Sequence, residues 1–154
     1  MSAQAERKAI GTLFNTGWGT TTPVSYENRD YRPPASSEWV RLKILAVDSF
    51  RTEIGTGARH ERTVGLVTVQ VFVPGNTGDG RAFELGDMVA DIFRSQQVQL
   101  YDPADGVTVI GRILFRIPTV RNVGVGDQVR VDNTLKGLYY QVNVSVPYLR
   151  DSFH

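Results

Sequence analysis

Cysteine is absent from this chain, which removes disulfides, thiolate zinc sites, iron–sulfur clusters and cysteine nucleophiles from consideration. Histidine is nearly as scarce. The two present are His60, in a loop-like stretch, and His154 at the final position, so a zinc site wanting three or four ligands has no pattern to rest on. No run of about eighteen apolar residues occurs, and charges interrupt the opening MSAQAERKAIGTLF, where a secretion signal needs an apolar segment. Excess charge of one sign is missing too. Seventeen Lys and Arg face 16 Asp and Glu, whereas a dedicated nucleic-acid binder shows a concentrated basic surplus. The expectation is a soluble, cytoplasmic, cofactor-free protein.

Catalytic patterns are equally thin. There is no Gly-x-Ser-x-Gly elbow, and a Ser-His-Asp set would need a loop histidine or a terminal one. Gly55-Thr56-Gly57, Gly78-Asp79-Gly80 and Gly124-Val125-Gly126 complete neither a dinucleotide fingerprint nor a phosphate loop, and read as turns. Asn143-Val144-Ser145 fits a glycosylation pattern but falls within a strand-like run. Nothing here points to an enzyme.

What is present is regular patterning in 154 residues, a length suited to one domain, 1–154. Ile10, Leu13 and Phe14 at helical spacing predict a first helix over residues 3–15, capped by Ser2 and ended by Gly17, with Glu6, Arg7 and Lys8 mostly off its apolar face. Pro23, Pro33 and Pro34 mark an extended connection. Alternation then predicts a strand over 39–47, with Val40, Leu42, Ile44 and Ala46 on one side, and another over 63–73, with Val67, Val69, Val71 and Val73. Leu85, Met88, Val89, Ile92 and Phe93 form the stripe of a second helix, capped by Asp79 or Thr77. Residues 98–101 and 107–117 read as a hairpin across Asp102-Pro103-Ala104-Asp105-Gly106, and 138–147 as the closing strand. The predicted class is α+β: a mostly antiparallel sheet with two helices packed on one face and two long projecting loops.

Those loops hold the candidate contact residues. Residues 48–62 carry Arg51, Glu53, Arg59, Glu61 and Arg62, and residues 118–137 carry Arg121, Asp127, Arg130, Asp132 and Lys136. Mixed charge of this kind suits a solvated loop as well as a surface that steers a partner. The aromatics Tyr26, Tyr31, Trp39, Tyr139, Tyr140 and Tyr148 are too scattered for a base-stacking platform and fit core or interface positions. A small oligosaccharide- or nucleic-acid-binding module is the alternative that a sheet face with aromatics leaves open.

One set of pieces, in order, carries a family likeness. Tyr26-Glu27-Asn28 precedes Pro33-Pro34 and Trp39-Val40-Arg41; Arg62 and Gly65 lead into Val69-Gln70-Val71-Phe72-Val73-Pro74; Gly78 and Gly80 precede Asp87-Met88-Val89-Ala90-Asp91-Ile92-Phe93-Arg94; and Tyr140-Gln141-Val142-Asn143-Val144-Ser145-Val146-Pro147-Tyr148 closes the chain. The series resembles the tail terminator proteins of long-tailed, non-contractile bacteriophages, of the lambda minor-tail type. Residues 124–137 depart from it by being longer than the short turn expected before the last strand. The resemblance implies a homo-hexameric ring at the neck end of the virion tail, assembled in the host cytoplasm. Its implied partners are further copies of itself, the tail tube protein and a head-completion or neck protein. Genome DNA would pass through the ring without sequence-specific binding, and neither membrane nor cofactor is implied.

Overall fold

The computed structural model describes residues 2–28, 37–51, 60–75, 79–126 and 139–153. Its elements run α1 (Ser2–Trp18), β1 (Val24–Ser25), β2 (Trp39–Arg51), β3 (His60–Pro74), α2 (Gly80–Phe93), β4 (Gln97–Tyr101), β5 (Val109–Phe115), β6 (Thr119–Gly126) and β7 (Tyr139–Phe153). All the strands join one sheet of order β1-β2-β3-β7-β5-β4, with β6 also paired to β7. The class is α+β, and a parallel β1–β2 pair among antiparallel neighbours makes the sheet mixed.

Alternation along the strands decides which side chains meet. Val40, Leu42 and Ile44 of β2, Val67, Val69, Val71 and Val73 of β3, and Val142, Val144 and Val146 of β7 are all buried on one face, which we call inner. On β2 the alternation stops at a bulge. The register with β3 slips between Ala46 and Asp48, and Ala46, expected inside, is exposed along with the rest of the strand's end.

β7 is the hub of the sheet. β3 follows it from Pro74↔Tyr139 to His60↔Phe153. The other edge of β7 is divided, with β6 taking Tyr139 to Ser145 and β5 taking Tyr148 to Ser152. Pro147, expected to end the strand, lies between these two partners. Its carbonyl accepts the Arg116 N–H at 2.8 Å on that edge, so the N–H that proline lacks points to the junction where no ladder bond is lost. β6 itself corrects the expectation of a loop over 118–137. Its glycines and charges hide a strand whose register slips between Asn122 and Gly124, while residues 127–138 lie outside the described ones.

The helices also depart from expectation in detail. α1 runs past Gly17 to Trp18 and ends at Gly19, whose φ of 59° lets its N–H reach the Asn15 carbonyl at 2.9 Å. Gly17 serves packing instead, since a Cβ there would lie 2.9 Å from Ile92 Cγ1 of α2. In α2 the buried face is Ala82, Leu85, Gly86, Val89, Ala90 and Phe93, so Met88 is exposed and Ile92 only half-buried. Small residues shift the stripe, because they let the helix approach the sheet closely. A Cβ at Gly86 would meet Val120 at 3.1 Å and Val142 at 3.4 Å. Asp79 is the N-cap residue without a side-chain capping bond. Phe14 stacks on both Trp18 and Phe93, and Phe93 in turn meets Phe115 at 5.2 Å, which joins α1, α2 and β5 in one core.

Candidate assembly surface

The outer face of the sheet, opposite the valine face, changes character along the strands. At one end Trp39, Phe72 and Tyr139 form a second buried cluster, with Trp39 stacked on Phe72 at 4.2 Å and Tyr139 set edge-on to both. The Arg41 guanidinium lies over both rings of the stacked pair, 5.2 and 5.5 Å from their centroids. Burial lowers its pKa from the ordinary value. These aromatics are therefore spent inside the molecule and form no open stacking platform.

Further along, the same face turns apolar. Leu45 lies opposite Leu66, which lies opposite Pro147; in the next row Val64 lies opposite Leu149, which lies opposite Leu114, and exposed Asp48 stands at the β2 end, opposite Val64. Four strands thus contribute to one stripe, in which Leu45 is 61% exposed and Leu114 45%. Cations rim it. Lys43 stands on the near side, opposite Thr68, and on the far side Arg62, Asp151 and Arg112 pair in register across β3, β7 and β5. Arg62 donates to both oxygens of Asp151, Nε at 2.7 Å and a terminal nitrogen at 3.1 Å. That bond above all, with positive charge from Arg112 and His60 nearby, holds the Asp151 carboxyl below its usual range.

The helix side carries the opposite sign. On the solvent face of α2, Glu84, Asp87 and Asp91 surround exposed Met88. Arg81 grips Glu38 with a bidentate pair, the bond that first raises its pKa, and also pairs with Glu84 at 3.3 Å, while Arg94 pairs with Asp91 at 3.6 Å, so two cations share this face with the three carboxylates. Since Gly86 of the same helix faces Val120, Val142 and Val144 on the sheet's inner side, the acidic stripe and the basic-rimmed apolar stripe look in opposite directions.

Between these faces lies a polar group that sequence reading placed outside. Glu6, assigned off the apolar face of α1, is 2% exposed. It accepts the Tyr148 hydroxyl and an Arg150 N–H, while another Arg150 nitrogen donates to Thr63 Oγ1 at 2.8 Å, itself 2.7 Å from Ser49 Oγ. Burial first, and then the bond to Glu6, raises the Tyr148 pKa. Apolar periodicity cannot flag such a residue, since its partners stand more than 140 positions away. Gly65 makes room for it: a Cβ there would lie 2.3 Å from Tyr148 Cζ, its cross-strand neighbour.

Of the sequence-predicted contact residues, Arg51 is exposed at the end of β2 and faces half-buried Glu61 across the hairpin. Arg62 is engaged by Asp151, and Arg121 is exposed on β6 opposite Asn143. The structure does not bring Arg121 next to the hairpin group, which pairs at the other end of β7. Glu53, Arg59, Asp127, Arg130, Asp132 and Lys136 lie outside the described residues. The apolar stripe was missed, although Leu45, Leu66, Leu114 and Leu149 are plain in the sequence, because only the register across four strands assembles them. Two grooves flank α1, one of about 560 Å³ against Val98 and Tyr101 and one of about 620 Å³ against Tyr26 and Leu42. Among the described residues no group of His, Asp and Glu could hold a metal ion, and no helix is long and apolar enough to cross a membrane.

Comparison with known proteins agrees with the likeness seen in the sequence. No functionally curated protein matches the chain. Among solved structures, one superimposes on 100% of this chain and 98% of its own with a TM-score of 0.63 at 17% identity, a likeness of fold alone. The model of the family described as phage tail terminator protein matches residues 3–148. That match takes in both helices and the sheet as far as Tyr148, and so the chain belongs to the phage tail terminator protein family.

Proposed function

We propose that this single-domain protein forms a ring, of six subunits, on the head-proximal end of a finished tail tube, where it stops addition of tube subunits and offers the surface on which the head docks. The carrying observation is the family match over residues 3–148, which supports a structural role in a phage tail. Two unlike surfaces on opposite sides of one subunit support the reading, because a closed ring needs heterologous contacts that repeat. On this reading the charged hairpin with Arg51, Glu61 and Arg62, and Arg121 on β6, lie in or beside contacts with the tube, the neck or the next subunit. Genome DNA passes through the ring without sequence readout, at the neck end of the virion.

The test is omission of the protein during phage assembly. Overlong tails, or tails that fail to join filled heads, are expected, and adding the purified protein should restore normal length and joining. Tails of normal length that join heads without it would overturn the proposal.

A further inference from the structure

We infer that the apolar stripe on the outer sheet face is the seat for α2 of a second copy of this chain, one such contact repeating from subunit to subunit. The inference rests on the ring reading above and names the surfaces that close the ring. Leu45 and Leu66 lie side by side in one cross-strand row and Leu149 and Leu114 in the next, with no element of the described chain covering the two that are most exposed. An apolar sheet face left open to water is a contact surface or a liability.

Charge selects the occupant. Lys43 and Arg112 rim the stripe on opposite sides, and both are exposed; Arg112 shares Asp151 with Arg62, and Asp48 stands at the β2 end. Arg116, also exposed, follows two residues after Leu114. With Arg116 these cations outnumber Asp48 and Asp151, and the face suits a partner that offers apolar surface among carboxylates. The chain itself carries that on the solvent side of α2, where Met88 is 39% exposed between Asp87 and Asp91, with Glu84 one turn before it; the three carboxylates outnumber Arg81 and Arg94, which pair with Glu84 and Asp91. Donor and acceptor surfaces point opposite ways on one subunit, so a contact between them is head-to-tail, never self-paired, and leaves each surface free for one neighbour. Duplex DNA would also be drawn to the cations, but it offers no use for the leucines between them.

The absence of native cysteine makes a direct test clean. Copies carrying Met88→Cys and copies carrying Leu114→Cys are mixed, added to tails made without the protein, and oxidised once tail length is fixed. Both substituted positions are exposed, and a melting curve of each variant checks its fold. A covalent dimer is expected only from the mixture. Introducing Asp87→Lys with Asp91→Lys should lower its yield about tenfold, as should Lys43→Glu with Arg116→Glu, and combining all four should restore it. Normal-length tails bearing the mixed protein but no cross-link would overturn this seat while leaving the ring reading intact. So would retention of the cross-link at full yield in both charge-reversed pairs, or loss of duplex DNA binding as the sole effect of Lys43→Glu with Arg116→Glu. Tails whose length ignores the protein altogether would overturn the ring reading and this contact with it.

Discussion

Glu6 anchors the first helix to the far end of the chain through Tyr148 and Arg150. Glu6→Ala would leave the Arg150 guanidinium buried beside an empty site, and a loss of about 3–5 kcal/mol is expected in denaturant unfolding. Gly65→Ala tests the same region from the backbone side. Its Cβ collides with the Tyr148 ring, a side chain held by Glu6, so about 1–3 kcal/mol of overpacking cost is expected. Titration follows with opposite signs at the two ends of the pH scale. Asp151 has a depressed pKa, so its contribution is present above the unfolded value of 3.8 and is lost as pH falls below it. Asp105, held down to about 2 by the Thr108 hydroxyl and nearby N–H groups, behaves the same way in its turn. Tyr148 has a raised pKa, so its contribution is complete below 10.0 and declines as pH rises past that value. Stability curves of Asp151→Asn and Tyr148→Phe should therefore flatten on the acid and alkaline limbs respectively, each leaving the other limb unchanged.

At the level of elements, α2 shows how far periodicity carries and where it stops. The helix and most of its stripe follow from Leu85, Val89 and Phe93, but the stripe's centre is set by Ala82, Gly86 and Ala90, whose smallness hides them from a count of large apolar residues. Phe93→Ala, which removes contacts with Phe14 and Phe115, is expected to cost about 3–5 kcal/mol. Met88→Ala should change stability by no more than about 0.5 kcal/mol; thermal melts of the pair would distinguish the observed face from the expected one. The β2, β3 and β7 cores were legible because β3 and β7 alternate cleanly, as does β2 as far as Ile44. β6 was not, since glycine and charge suppress its alternation, and neither was the run of β7 past Pro147, because a sequence cannot show which edge of a strand lacks a partner. The assembly surface was least legible of all. Its charged hairpin was visible, yet the leucine stripe exists only once Leu45, Leu66, Leu149 and Leu114 are brought into register.

For the whole molecule, near-zero net charge conceals a division into a basic-rimmed sheet face and an acidic helix face. Assembly through those faces should weaken as salt rises from about 0.05 to 0.5 M, since exposed charges are screened over a few ångströms at the upper limit; sedimentation on tails or in solution would read the change. β7 ties these faces together by pairing with β3, β5 and β6 at once. A chain cut after Pro147 would lose every register partner of β5 on β7 and the whole Glu6 anchor, and is expected to melt without a cooperative transition in calorimetry.

The bulge at Ala46 to Asp48 has a consequence of another kind. Among the described residues, no strand lies beside the outer edge of β2 beyond the two residues paired to β1, and a straight edge bearing Leu45, Val47 and Phe50 would invite strands of other molecules to add without limit. The extra residue twists that edge out of line, so a stranger's backbone cannot hydrogen-bond along its full length. Deleting Val47 would iron the edge flat, and dye-binding fibrils in place of discrete particles are the expected result. A protein of a family named for ending a polymer thus carries, in one supernumerary residue, its own guard against becoming one.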